Sequence, residues 1–340
     1  MNRIRLLLIF AIVVLTIIAF FFIRSDKDKK SKNYDFSFRE FAVEKIESVD
    51  KILLFKRDGE QVKLSRKKNI WYVNDKYIAS TTAISNLLSA VKNVRIDYVP
   101  PDAAVENIMK SLMYNGIKVE LYDKNDDPIK KFYVGDSPEN SIGTYYLMEG
   151  SASPLVLSLP GFKGNLRVRF SYTQDEWRDR SVYSVKPDDI EELSMKYFFD
   201  KDNSFILKRH DETFTIGPAF ENIKKAVIKA NSEYSRTYLL GFENKGCEYI
   251  ANNIEGRDDI LSRLPIVEIG LKLKNNRTKK LEVFMIPNLD EEVNDDQTGI
   301  NKYLNESVLR YIARDENGDL FLIQYEVFKD LFVSGKSFTR

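Results

Sequence analysis

Nucleophilic or metal-assisted chemistry in this chain has very few residues to pass through. The 340 residues contain one histidine and one cysteine. A Ser–His–Asp or Cys–His relay would have to run through His210. That residue sits in Lys208-Arg209-His210-Asp211-Glu212, a charged hairpin turn that predicts a solvated loop histidine. Cys247 follows Lys245-Gly246, in a loop between the helices expected in the second half. With one Cys and one His, a zinc site would need mostly carboxylates, against the N and S ligands that such sites use.

Carboxylates are plentiful. Three segments have the spacing of a calcium loop: Asp123-x-Asn125-x-Asp127, Asp200-x-Asp202-x-Ser204 and Asp315-x-Asn317-x-Asp319. An EF-hand needs glycine at its sixth position and an acid at its twelfth. The sixth positions here are Pro128, Phe205 and Leu320, and each segment joins two strand-like runs, so hairpin turns are expected. Asp290-Glu291-Glu292 with Asp295-Asp296 reads as a solvated acidic loop. The sequence has no phosphate-binding P-loop and no dinucleotide-binding glycine pattern. Glycoside hydrolysis needs only two carboxylates, and no pair stands out. The expectation is no catalytic residue, no cofactor and no metal ligand.

The densest mixed-charge segment is Asp175-Glu176-Trp177-Arg178-Asp179-Arg180, which holds one of two tryptophans. Trp177, Arg178, Asp179 and Arg180 are the candidate contact residues. In one reading they form an interdomain clasp, with Trp177 packed at a junction and the arginines paired to local carboxylates. In the other they form a partner or anion site, since Arg and Trp are enriched at binding hot spots.

The elements that would position these residues follow one rhythm twice. Lys51–Phe55 reads as a strand, Asp58-Gly59 as a hairpin signal, Val62–Leu64 and Ile70–Val73 as further strands, and Asn74-Asp75 as a turn. Ser80 or Thr81 caps a helix whose apolar positions Ile84, Leu87, Leu88 and Val91 form one stripe. After Pro100-Pro101, Asp102 caps a second helix with Val105, Ile108, Met109 and Leu112, ended by Asn115-Gly116. Strands follow at Ile117–Leu121, Lys131–Val134, Tyr145–Met148 and Leu155–Leu159.

The second round runs through strands at Ile190–Tyr197, Phe205–Lys208 and Thr213–Ile216. Pro218 opens a helix carrying Ile223, Ala226, Val227 and Ala230, and Asp258–Leu264 forms a shorter one. Strands follow around Ile269–Leu273, Leu281–Ile286 and Phe321–Ile323. The fold class expected is α+β: an N-terminal transmembrane helix, then two similar antiparallel sheet-plus-helix units. The expected boundaries are 1–32 for the anchor and its basic flank, 33–172 for the first unit, 173–187 for a charged connector and 188–340 for the second.

The anchor is Leu6–Ile23, apolar except for Thr16. About eighteen helical residues cover roughly 27 Å, close to the ~30 Å of a bilayer's hydrocarbon core. The run ends Phe20-Phe21-Phe22-Ile23-Arg24 with no small-residue cleavage site after it, which favours an uncleaved anchor over a signal peptide. Arg24, Lys27, Lys29, Lys30 and Lys32 outnumber Arg3 and Arg5. By the positive-inside rule alone they would keep the bulk cytoplasmic. The remaining residues suit two ordinary domains. Net charge is +1, which offers no electrostatic case for nucleic acid. A lone cysteine forms no intrachain disulfide, and a domain of this size does not need one.

Several of these segments together resemble the domain-of-unknown-function 4340 family, in the form found in Bacteroidetes-type bacteria. They are the anchor, Phe41-Ala42-Val43-Glu44, Trp71-Tyr72-Val73-Asn74 before an Ala/Leu-rich helix, Tyr133-Val134-Gly135 with Gly143-Thr144-Tyr145, Pro160-Gly161-Phe162, and Asp175 to Arg180. The resemblance covers nearly the whole chain and is best over 40–185. It carries no catalytic residues. It implies a single-pass inner-membrane protein with an extracytoplasmic, periplasmic bulk, auxiliary to an envelope transport system of the ABC type. On sidedness it opposes the lysine count, and long domains translocate largely regardless of flanking charge.

The leading function is thus a membrane-anchored, non-enzymatic binding or assembly component whose partners are the membrane, through Leu6–Ile23, and ABC transporter subunits. The alternatives are a carboxylate-based hydrolase of envelope polymers and a ligand-binding sensor module. An uncleaved anchor makes the first prediction. Intact mass of the protein extracted from membranes should place the N-terminus within the first few residues, and a mature chain beginning near Ser25 or later would contradict it.

Overall fold

The structure, a computed structural model, describes residues 41–139, 142–286, 303–304 and 309–339. The anchor, its basic flank and the acidic cluster at 290–296 lie outside these residues. Among the described residues no helix is long and apolar enough to cross a membrane.

Antiparallel pairing dominates. The strands are β1 (Lys51–Phe55), β2 (Gln61–Lys67), β3 (Ile70–Val73), β4 (Tyr77–Ile78), β5 (Arg95–Tyr98), β6 (Ile117–Tyr122), β7 (Pro128–Val134), β8 (Thr144–Met148) and β9 (Leu155–Ser158). A short β10 (Ser181–Tyr183) precedes β11 (Ile190–Tyr197), β12 (Phe205–His210), β13 (Thr213–Gly217), β14 (Ile228–Ala230), β15 (Lys245–Gly246), β16 (Tyr249–Ile250), β17 (Val267–Leu273), β18 (Thr278–Phe284), β19 (Arg310–Asp315) and β20 (Leu320–Gln324). One nine-stranded sheet has the order β4-β3-β2-β1-β6-β7-β8-β9-β5, and another has β14-β13-β12-β11-β17-β18-β19-β20-β16. β10 pairs with β15 separately. By compactness the chain divides into Met1–Gln61 with Ser85–Ser171, described from Phe41 onward, and Val62–Ile84 with Tyr172–Arg340.

Read strand by strand, the two orders are the same. A helix follows the fourth strand in each, Thr81–Asn93 in the first and Ser232–Leu240 in the second, and another precedes the central partner strand, Asp102–Asn115 and Arg257–Ser262. Period-two alternation builds the strands. Ile117, Val119 and Leu121 are buried on β6, as are Val267, Ile269, Leu271 and Leu273 on β17.

The helix Thr81–Asn93 starts where expected. The amide of Ala83 donates to Ser80 Oγ at 3.3 Å. Its buried stripe is Ala83, Ile84, Leu87, Ala90 and Val91, while Leu88 is only half-buried. Asp102 is the first residue of the next helix rather than its cap, which is Pro101 with no side-chain bond. The helix ends at Gly116, where the backbone turns extended and where a Cβ would lie 2.2 Å from the carbonyl oxygen of Leu112, so the position takes glycine.

The expected helix over Ile223, Ala226, Val227 and Ala230 is absent. Residues 218–227 form a loop, and Ala230 lies on β14, paired with Phe214. Two alanines in the stripe give such a helix little apolar area to bury, and Ile223 and Val227 are β-branched, which lowers helix propensity. The helix begins instead at Ser232, where the Asn231 side chain accepts the amide of Tyr234 at 3.0 Å. That is a strong N-cap.

Leu87 is fully buried and Val227 is 67% exposed. Leu87→Ala should therefore cost ~2–5 kcal/mol in urea denaturation, and Val227→Ala should stay within about 0.5 kcal/mol. Equal effects would contradict the placement of both residues.

Candidate functional site

The charged segment singled out in the sequence is a short helix and its exit. Thr173 and Glu176 cap Gln174–Trp177 reciprocally: Thr173 N donates to Glu176 Oε2 at 2.7 Å and Glu176 N to Thr173 Oγ1 at 3.4 Å. This capping box fixes where Trp177 and Arg178 point. Trp177 is fully buried, edge-on to Tyr172 with ring centroids 5.1 Å apart. The amide of Ser80 donates to its carbonyl at 2.8 Å.

Arg178 is the centre of the cluster, its side chain only 6% exposed. Its guanidinium lies 3.6 Å from the centroid of the Tyr77 ring. Nη1 donates to Asp175 Oδ1 at 3.0 Å and to Asp319 Oδ1 at 3.2 Å, and Nη2 donates to Asp319 Oδ2 at 2.5 Å. Asn252 Nδ2 donates to Asp319 Oδ1 at 3.0 Å, and Asn252 Oδ1 accepts the amide of Leu320 at 2.8 Å. The bidentate fork matches a carboxylate's geometry and charge.

Burial alone would lower the pKa of Arg178, but Asp319 and Asp175 outweigh it and the guanidinium is held above its ordinary value. Burial alone would raise Asp319, but Arg178 and Asn252 outweigh it and the carboxyl is held below its ordinary 3.8. Asp315 goes the other way. Burial raises it, although the Asn317 side chain and the amides of Asp319 and Asn317 all donate to it.

The other two candidates do not join this cluster. The amide of Asp179 donates to the Ile78 carbonyl at 2.8 Å, and its Oδ1 accepts the amide of Ser181 at 2.8 Å. Arg180 donates from Nη1 to the Glu248 carbonyl at 2.9 Å. Of the partners that complete the cluster, Asn252 and Tyr77 carry no signal in the sequence, and Asp319 stands out there only as the third position of an acidic triplet. The only signal was Asp319 itself. One aspartate explains the β19–β20 hairpin, since Asp315 Oδ1 accepts the amides of both Asn317 and Asp319, which leaves the Asp319 side chain for another task.

A cleft of about 760 Å³ opens beside the cluster, lined by Lys76, Tyr77, Arg178, Lys279, Asp315 and Asp319 among others. Arg178 offers this cleft little capacity for an anion, because its forks are taken by two carboxylates. Elsewhere, His210 is exposed at the end of β12 with Nε2 2.9 Å from Thr215 Oγ1. Burial pushes the Cys247 thiol up to about 11, away from thiolate chemistry. Asp123 Oδ1 accepts the amides of Asn125 and Asp127, so that acidic triplet also serves its own hairpin. Among the described residues no group of three or more His, Cys, Asp or Glu could hold a metal ion. Set against protein-family models, curated proteins and solved structures, the chain matches no family, no curated protein and no solved structure.

The buried pair makes a prediction with a defined sign. Asp319→Asn leaves Arg178 buried without its main counter-charge and should cost ~3–5 kcal/mol at pH 7. Because Asp319 is depressed in the folded state, its contribution is complete above about pH 5 and is lost as pH falls through 3.8 toward the folded value. The stability gap between wild type and variant, followed by urea denaturation, should narrow from pH 5 to pH 3. A gap that stays constant over that range would contradict the assignment.

Proposed function

We propose that the protein is a membrane-anchored, non-enzymatic binding or assembly component, held in a bacterial inner membrane by Leu6–Ile23 with its bulk extracytoplasmic. Its partners on this reading are ABC-type transporter subunits. The reading takes the resemblance to the domain-of-unknown-function 4340 family as its guide to location and partners. It also takes the two sheets as a duplication. In support, both sheets share one strand order, and in each the residue before the first helix donates its amide to a fully buried aromatic near the end of the repeat: Ser80 to Trp177 and Asn231 to Phe338 at 2.7 Å.

The observation that carries the non-enzymatic part is the engagement of Arg178. The most conspicuous functional group in the sequence is buried and bound to Asp175 and Asp319, so it builds the scaffold rather than meeting a substrate.

A second reading, carboxylate-based hydrolysis, has one observation in its favour. Asp315 and Asp319 line one cleft, and their environments push their pKa values in opposite directions, as in acid–base pairs. Against it, the oxygens of both are already engaged by the hairpin amides, Asn317, Asn252 and Arg178.

Affinity purification of the full chain in mild detergent decides between them. The assembly reading expects transporter ATPase and membrane subunits to co-purify, unchanged by His210→Ala or Cys247→Ala. A protein that purifies alone, with an activity that Asp315→Asn abolishes while the fold stays intact, would replace this reading with the second.

A further inference from the structure

The two repeats differ at one place in a way that opens a binding groove. In the first, Val73 on β3 pairs with Tyr77 on β4, and three residues connect them. In the second, Ile216 on β13 pairs with Ile228 on β14, and ten residues connect them. The residue after Val73 is Asn74, and the residue after Ile216 is Gly217. Three residues before the buried aromatic stand Gln174 in the first repeat and Gly335 in the second. Asn74 Nδ2 and Gln174 Oε1 close the first site with a hydrogen bond of 2.6 Å. At the corresponding positions of the second, both side chains are missing.

A groove of about 350 Å³ lies there, with Gly217 and Gly335 in its lining, a size within the range of small-molecule sites. Its walls are mostly apolar, with Phe205, Ile216, Pro218, Ala226 and Ile228 prominent. Both glycines lie close against their neighbours. A Cβ on Gly335 would come within 3.0 Å of Phe205 Cβ, and one on Gly217 within 2.9 Å of Val227 Cγ2.

Two lysines stand at the groove. Lys225 is engaged by the carbonyl and carboxylate of Asp202. Lys336 is exposed, and its ammonium has no ion-pair or hydrogen-bond partner among the described residues. An apolar trough with one uncommitted cation complements a monoanionic amphiphile. We propose that this groove binds a medium-chain fatty acid, its tail against Phe205, Ile216 and Ile228 and its carboxylate on Lys336. This inference does not depend on the anchor or on transporter partners.

The test uses the full chain in nanodiscs and a diazirine-bearing decanoate, with the photoadduct mapped by peptide mass spectrometry. The label should fall on 225–228 and 335–339. Unlabelled decanoate should compete at least tenfold better than decanol, and Lys336→Gln should remove that preference for the acid. Gly335→Gln restores the side chain of the first repeat and should cut labelling at least tenfold. Should that variant misfold, Ala226→Trp fills the groove from an exposed loop position and should give the same loss. Labelling spread in proportion to surface exposure, or retained in folded Ala226→Trp, overturns the proposal. So does stronger competition by a peptide with an apolar C-terminus than by decanoate.

Discussion

A guanidinium buried as deeply as that of Arg178 is tolerable only if counter-charge reaches it with good geometry, because desolvating an unpaired charge costs several kcal/mol. That requirement organises the residues around it. Asp175 comes from the preceding helical turn, positioned by the Thr173–Glu176 capping box. Asp319 comes from the β19–β20 hairpin, whose turn is held by Asp315. Asn252 serves the second lone pair of Asp319 and ties the amide of Leu320. Tyr77 covers one face of the guanidinium, a stacking that Arg supports better than Lys. Charge, aromatic cover and hydrogen bonds meet at one side chain, so the segment from Thr173 to Asp179 has a single place to lie.

The same segment closes the edge of β4. Ala79 and Arg178 form an antiparallel bridge, and the amides of Ser80 and Asp179 complete it with the carbonyls of Trp177 and Ile78. Unpaired sheet edges are a liability that folds cover or charge. The corresponding amide in the second repeat, that of Asn231, is taken by Phe338. The two halves thus share a closing device and differ in the space beside it, where Gly217 and Gly335 stand at the positions of Asn74 and Gln174. The two sheets share one strand order, and they differ beside this closing amide, where the second has two glycines and a longer connection.

What was legible in the sequence was local. Alternation in Ile117–Leu121 and Ile269–Leu273, the turn at Asn74-Asp75 with both residues at positive φ, and the helix from Thr81 all follow from short-range periodicity. The expected helix over 223–230 misled because i, i+3, i+4, i+7 spacing also arises by chance across a loop and a strand, and Asn231 was the better start signal. Asp175, the local partner of Arg178, stands in the segment the sequence singles out, whereas the distant partner was illegible for a different reason. Asp319 is 141 residues away, and nothing in a single sequence ties such positions together. The groove was hidden because glycine leaves no chemical signature, and its meaning appears only when the repeats are compared position by position.

The central claim is that Arg178 is committed to Asp319 as part of the scaffold. A double-mutant cycle with Arg178→Met, Asp319→Leu and the pair, read by urea denaturation of the full chain at pH 7, measures this directly. A committed pair predicts a coupling energy of about 1.5–3 kcal/mol, with the double variant losing less stability than the two single losses added together. Additive effects, with coupling near zero, would show that Arg178 spends its charge elsewhere.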